Sequence, residues 1–546
     1  MADIQTLNGK YSQSTLRQWI LCFVVCNFNV DIGPEVEVVY PSDTPFSAVD
    51  LSTICFDSFP ERHDGEITED MYYNFTLRNN SPDINLTSPS PPYGSPESFH
   101  GVTVFRQEYD GSSKRRFNQK SLVIISNHEF SSFFMNLLRV IVTGSNIGDI
   151  TRLESACAQI EGWPPPRIGT QELPFLGGKM VLEIPPYQSF PLSGLPSPLS
   201  ASTSLLSHVS AYEPTENWPS LLPLLHSPAT LYILYERLLL GDPIIVLGTS
   251  PSHVSAIITA LTDLIRPIPY AGTIRPYLPM QSTGLMGEAA LFDPSAYTTP
   301  YIAGITNPFL LQRLSTPNIP NISTPYILAL SSPPTAPNLN APNTTTPSSG
   351  YSILHPSRSL RHRHSSRRID VPGTPIKSQP KPIHHLKADR TFLTALSDAH
   401  SGDASAALGV RRHFADLTAK LLAPANRFLA TGADASAAIA VSQASGASQV
   451  RGVKVVNNEG EAMGYESKVE IQMAVEAGEV SNFSVDAFLL ALESQVPAPF
   501  VGQTVRGRQR SRDAFYARFC ASGNFEAWLE LRRANERLGG AGLLGG

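Results

Sequence analysis

The residue types that carry chemistry are present in this chain, but not at the spacings that chemistry needs. No GxxxxGK[ST] loop occurs, and no GxGxxG joins a strand to a helix, so the commonest phosphate cradles have no anchor. The nearest approach is Gly248-Thr-Ser-Pro-Ser252. Backbone N–H groups at such a helix start could hold an anion, although a serine cap with proline at the first helical position explains the same residues. Neither a GxSxG elbow nor an HExxH pair is present to seat a hydrolase triad or a catalytic zinc. His362, His364, His384 and His385 fall in a basic low-complexity tract and read as part of a solvated linker rather than a ligand set. Arg506, Arg508, Arg510 and Arg512 recur at every second residue, which reads as one solvated loop face, or else as a contact for a phosphate or a partner. Five scattered cysteines (Cys22, Cys26, Cys55, Cys157, Cys520) form no CxxC pair and read as reduced, buried thiols. These residues describe a binding or regulatory protein with no catalytic residue, no cofactor, no metal and no small-molecule substrate.

Such a protein works through surfaces, so the elements that would build them matter more than any motif. The 546 residues include 47 prolines and only 16% charged residues, against a usual charged share of about 25%, which implies several packed modules joined by proline-rich linkers. A formal charge of −6 and a pI near 6.1 leave no basic domain for nucleic acid. The N-terminus lacks the order of a signal peptide. The apolar run Trp19–Phe28 is about half the length of a membrane span. A soluble cytoplasmic protein is expected.

Residues 1–15 read as disordered. Residues 16–145 read as one small antiparallel sheet with a helical layer: a hairpin of Trp19–Phe28 and Glu35–Tyr40, a helix over 46–59, strands at 101–109 and 120–126, and an apolar helix over 130–142. Residues 146–220 read as a Pro/Ser-rich connector with one strand at Lys179–Ile184. Residues 221–313 read as a doubly wound α/β module: helix Leu231–Leu240 stopped by Gly241-Asp242-Pro243, buried strand Pro243–Leu247, and a helix from Ser250. Residues 314–385 read as a disordered linker, Pro/Ser/Thr-rich and then basic from Arg361 to Arg368. Residues 386–538 read as all-helical, with an Ala/Ser/Gly-rich insertion near 431–450 and last helices at Val485–Glu493 and Arg512–Leu538. A Gly-rich tail, 539–546, follows.

WILCFVVCNFNVDIGPEVEVVYP (19–41), STICFDSFP (52–60), GVTVFRQ and FNQKSLVIIS resemble the upstream part of a DENN domain. LYILYERLLLGDPIIVLGTSPS, IRPYL (274–278) and GITNPF (304–309) resemble its central part. Arg411-Arg412-His413-Phe414 and Asn524-Phe525-Glu526-Ala527-Trp528 with Arg532-Arg533 resemble its downstream part. The three blocks stand in the correct order over nearly the whole chain, and the sixth family of DENN-domain-containing proteins is the branch they resemble most. The resemblance implies a longin-like upstream module, a doubly wound central DENN module and a helical downstream module. It further implies guanine-nucleotide exchange on a Rab-family small GTPase, with magnesium and nucleotide belonging to the GTPase. Recruitment from the cytoplasm to endosomal or other vesicle membranes is implied with it. An alternative is a non-catalytic trafficking or polarity scaffold that binds an Arf- or Rab-family GTPase. Polar loop positions inside the matching blocks are the candidate interface: Asp31, Glu35, Asp242, Ser250, Arg275 and Asn307. The alanine-rich insertion and the early glycine-rich end depart from the family pattern, which leads one to expect an altered downstream module.

Overall fold

A strand that is apolar on both faces has to be covered on both faces. The computed structural model describes residues 15–29, 31–61, 69–78, 98–111, 117–185, 206–281, 300–314, 324–331, 370–371, 374–375, 384–398, 404–444, 483, 485–492 and 499–541. Its first unit comprises β1 (Cys22–Asn29), β2 (Gly33–Tyr40), α1 (Ala48–Asp57), β3 (Met71–Arg78), β4 (Ser98–Tyr109), β5 (Phe117–Ser126), α2 (Ser131–Val142) and α3 (Ile150–Glu161). The strands form an antiparallel sheet of order β2-β1-β5-β4-β3. Cys22, Val24 and Cys26 of β1 join one core with Ile54 and Cys55 of α1. Phe23 and Val25 join a second core with Phe133 and Leu137 of α2 and Ile160 of α3. Both covers are thus present, which is why the run has no polar alternation. Helix α1 starts at a reciprocal cap, Ser47 and Asp50 each accepting the other's backbone N–H.

Strand β3 is additional to the two later strands expected, although Tyr73, Phe75 and Leu77 alternate as buried residues with polar neighbours. Residues 146–220 hold more order than a connector. Helix α3 is followed by β6 (Gly169–Phe175), β7 (Gly178–Ile184) and β8 (Leu206–Ser210), with β7 antiparallel to β6 and parallel to β8. The single strand expected there is β7.

The second unit contains α4 (Trp218–Leu221), α5 (Thr230–Leu239), β9 (Ile244–Leu247), α6 (Pro251–Leu264), β10 (Thr273–Arg275), β11 (Tyr301–Ile305), α7 (Phe309–Leu314) and β12 (Tyr326–Ala329). Its four strands are all parallel, in the order β10-β11-β9-β12. The wholly apolar β9 lies inside this sheet, and Gly241 ends α5 with φ +67°, a conformation glycine adopts without strain. Strand β12 corrects the linker reading of 314–385, as does the short pairing of Asp370–Val371 with Thr374–Pro375. The basic tract Arg361–Arg368 lies outside the described residues.

The helical part consists of α8 (Arg390–Ser397), α9 (Ala404–Ala444), α10 (Val485–Ala491), α11 (Val505–Cys520) and α12 (Gly523–Ala541). Helix α9 runs on through 431–444, where an insertion was expected, while 445–450 lie outside the described residues. The single last helix expected is two, parted at Ala521-Ser522, where Ser522 Oγ accepts the Phe525 N–H at 3.3 Å. The four alternating arginines lie in or at the start of α11 rather than along a loop. A spacing of two on a helix scatters side chains around it, and Arg512 is buried, donating to the Leu492 carbonyl at 2.6 Å and paired with Asp513.

The downstream blocks lock this part onto the parallel-sheet unit. Arg411 grips the buried Asp263 of α6 through two bonds of 2.7 and 3.0 Å, and the Tyr232 hydroxyl meets His413 Nε2 at 2.6 Å. Asn524 donates to the Leu238 carbonyl at 2.6 Å and accepts from the Ala271 N–H at 2.7 Å. Glu236 accepts the N–H groups of both His385 and Leu386. Cys22, Cys26, Cys55 and Cys157 are buried free thiols and Cys520 is half-buried. Burial raises Cys22, Cys157 and Cys520 to about 12, which keeps them protonated and unreactive. Among the described residues, no helix is long and apolar enough to cross a membrane.

Buried histidines, His100 and His128 foremost, make stability depend on pH. His128 Nε2 lies 2.7 Å from the Gln18 carbonyl, and a carbonyl can only accept, so Nε2 carries the proton of a neutral ring. Burial lowers this histidine from 6.5 to about 4. Above pH 6.5 both states are neutral and full stability is present. Between 6.5 and about 4 only the unfolded chain takes up the proton, so stability falls as pH falls, by about 3 kcal/mol at the limit. Urea midpoints from pH 7 to 4.5 should drop accordingly, and His128→Gln should flatten that slope by up to about one proton. An unchanged slope would assign the acid sensitivity elsewhere.

Candidate partner-binding face

The carboxyl ends of parallel strands open on the crevice where α/β units hold their ligands. Here β9 leads to Ser250, β10 to Leu278–Met280 and β11 to Asn307. The first sheet is bonded to this edge. Tyr277 Oη accepts the Glu61 N–H at 3.1 Å and donates to the Phe59 carbonyl at 3.4 Å. Glu61 Oε1 accepts the Met280 N–H. Desolvation raises the Glu61 carboxyl, with that N–H opposing it. The Tyr73 and Tyr277 rings meet edge-on at 5.3 Å, and Phe59 meets Phe28 at 5.9 Å.

Phe28 precedes the β1–β2 turn, where Gly33 at φ +92° turns the chain beneath Ile32. Ile32 is 71% exposed. At the far end of the same line of contacts, Asn307 donates to Met280 Sδ at 3.8 Å and its Oδ1 accepts the Phe309 N–H at 3.1 Å. That turn presents Phe309, which is 65% exposed. A series of contacts, Phe28–Phe59–Tyr277–Glu61–Met280–Asn307, crosses the seam between the two α/β units, and two exposed apolar side chains, Ile32 and Phe309, stand in the turns beyond its ends. Asp31 and Glu35 flank the first; Asn29 accepts the Asp31 N–H at 2.9 Å and donates to Glu35 at 3.4 Å. The first turn thus offers an apolar side chain flanked by acids, a composition suited to a protein interface.

Of the six candidate residues, Asn307 lies in this series, and Asp31 and Glu35 flank Ile32 in the turn beyond its other end. Ser250 lies at the same sheet edge, one strand over, its Oγ bonded to Ser252 Oγ at 2.7 Å and near Met71 Sδ at 3.9 Å. Asp242 is at the opposite edge, before β9, buried and held by Arg518 at 2.6 Å and Arg237 at 3.6 Å. Arg275 is buried in the seam between the units, where Nη1 donates to the Thr76 carbonyl of β3 at 2.5 Å and to its Oγ1 at 3.3 Å. Arg275 thus bonds the two α/β units to each other, while Asp242 ties the helical part to the second unit. Arg275→Ala would leave the Thr76 carbonyl without that donor and should cost about 3 kcal/mol, read as a lower urea midpoint. A change under about 0.5 kcal/mol would deny the seam this role. Ile32, Phe59, Glu61, Met280 and Phe309 were not singled out from sequence. The available signals were an isoleucine inside a turn signal and a phenylalanine directly after Asn-Pro, both apolar residues where loops are usually polar.

No family model matches the chain. Among curated proteins, the chain is 30% identical over 310 residues to protein DENND6B of Homo sapiens, covering 54% of this chain and 52% of that protein. It is 30% identical over 313 residues to protein DENND6A of Mus musculus, covering 54% and 50%. A protein DENND6 homolog of Dictyostelium discoideum is 26% identical over 479 residues, covering 78% of this chain and 62% of the relative. The chain spans about half the length of the vertebrate relatives it matches.

Proposed function

We propose that this chain, a DENN-domain protein of the DENND6 type by its similarity to those relatives, is a guanine-nucleotide exchange factor for a Rab-family small GTPase in vesicle and endosomal traffic. The support for the reading is the pair of exposed apolar side chains, Ile32 and Phe309, one on each α/β unit, in turns joined to the bonded seam between the units. Residues 16–145 would be the longin-like upstream module, 221–313 the central DENN module and 386–538 the downstream module. Exchange breaks no bond. To speed GDP release by about five decades, the protein must stabilise the nucleotide-free GTPase over the bound form by about 7 kcal/mol. Two apolar anchors on a preformed surface are suited to that, because anchors buried at the centre of an interface carry most of its energy. Cytoplasmic residence with recruitment to endosomal membranes belongs to the same reading.

Release of fluorescent GDP from a panel of Rab and Arf GTPases tests it. A catalytic rise on one or a few Rabs is expected. Binding without release on any member would favour the scaffold reading. Flat traces and no binding across the panel would overturn both.

A further inference from the structure

Next to Met71 and Ser252, a groove of about 750 Å³ opens between the start of β3, helix α2, residues 215–224 and the first turns of α6. None of Ile32, Phe59, Met280 and Phe309 lines it. Its size falls within the range of ligand sites, about 300–1,000 Å³. Met71, Tyr72, Leu221 and Leu224 give it apolar walls.

Among its lining residues acids outnumber bases, with Glu69, Asp70 and Glu216 against Arg139. Asp70 is already taken by Arg106, through bonds of 2.6 and 2.8 Å. Arg139, the cation in the lining, lies over the Tyr72 ring at 5.0 Å and donates to Asn136 at 3.0 Å. Glu69 and Glu216 are exposed and in no ion pair with a described residue. Desolvation raises the Glu216 carboxyl, with Arg139 opposing, and desolvation lowers His253, so the imidazole adds no compensating charge. With Arg139 counted, the lining still carries net negative charge, and that charge beside apolar walls complements a side chain with a long methylene stem and a cationic head.

We propose that this groove docks a basic peptide segment of a protein partner, with a lysine or arginine head between Glu69 and Glu216 and its stem along Met71, Tyr72 and Leu224. The walls come from both α/β units, β3 and α2 from the first, residues 215–224 and α6 from the second. An occupied groove therefore ties the units together. The inference stands apart from the exchange reading, and its test needs no GTPase.

Fluorescence anisotropy of a labelled hexalysine peptide, titrated with the full chain at low salt, reads it. Micromolar binding is expected, weakened at least tenfold in E69Q/E216Q. Ser220→Lys, which places an ammonium group on the groove lining, should weaken it similarly. Glu172→Gln, at an exposed carboxylate on β6, should leave it unchanged. Both groove variants change exposed residues, so circular dichroism should match the parent chain. The proposal fails if hexalysine does not bind below millimolar concentration, if all three variants bind alike, or if labelled hexaglutamate binds as well. It fails equally if spermine displaces the peptide at matched charge, since charge alone would then explain the affinity.

Discussion

Gly304→Ala is expected to destabilise the protein by about 3 kcal/mol or more, beyond the usual cost of overpacking. Gly304 lies in β11, and a Cβ added there would stand 2.2 Å from the Pro276 carbonyl oxygen and 3.0 Å from Ile258 Cδ1. The isoleucine can turn aside. The carbonyl cannot, because the chain beyond it is pinned by the Leu278 N–H donating to the Gly304 carbonyl at 2.8 Å, while Gly304 itself pairs with Val246 of β9. Relief would have to pull β11 from its neighbours and displace Asn307 with it. Gly409 in α9 is the contrast: nothing lies within 4 Å of its added Cβ, so Gly409→Ala should stabilise by about 0.5–1 kcal/mol through helix propensity. Urea unfolding of both variants checks the pair. A Gly304→Ala chain within 1 kcal/mol of the parent would mean that the strand edge is not held as described.

Ile32→Asp with Phe309→Asp is expected to remove GTPase engagement without harming the fold. At about 2 kcal/mol per anchor, each substitution should weaken binding to a responsive nucleotide-free Rab about 30-fold. The two residues sit on separate units, so the double variant should lose close to the product, roughly 1,000-fold. Both side chains are largely exposed, so melting temperatures should stay within about 2 °C of the parent chain. Affinity by titration of immobilised nucleotide-free GTPase reads the result. Unchanged affinity in the double variant would take the face out of the account.

How far the sequence reached depends on which periodicity each segment obeys. The β1–β2 hairpin, β9 and the Gly241 stop were legible because continuous apolar runs and turn residues act locally. Strand β3 was not, because Met71-Tyr-Tyr-Asn-Phe-Thr-Leu-Arg78 borders a proline-rich tract and its alternation is short. Strand β12 was hidden likewise, four residues inside a Pro/Ser/Thr stretch, kept in place by pairing with β9 rather than by its own propensity. The arginines of α11 misled because a spacing of two suits a strand or a loop, while the helix is set by Thr504 capping the Gly507 N–H at 3.0 Å. Candidate interface residues were chosen as polar loop positions. That rule found Asp31 and Glu35, which flank the exposed Ile32, and Asn307, which accepts the N–H of the exposed Phe309. It also found Asp242, paired with Arg518, and Arg275, bonded to Thr76, both buried and both held by partners far away in sequence, pairings no local pattern reveals. Burial of one polar residue and exposure of one apolar residue are both tertiary facts.

Engagement of a small GTPase by surfaces of both α/β units at once is the proposal on which the exchange reading depends. Hydrogen–deuterium exchange of the full chain, alone and with a nucleotide-free Rab from the responsive set, tests it most directly. The account predicts protection appearing together around the Asp31–Glu35 turn, Phe59–Glu61, Leu278–Met280 and Asn307–Leu311, and lost together in the Ile32→Asp, Phe309→Asp chain. Protection confined to one unit, or falling wholly outside these four segments, would contradict it.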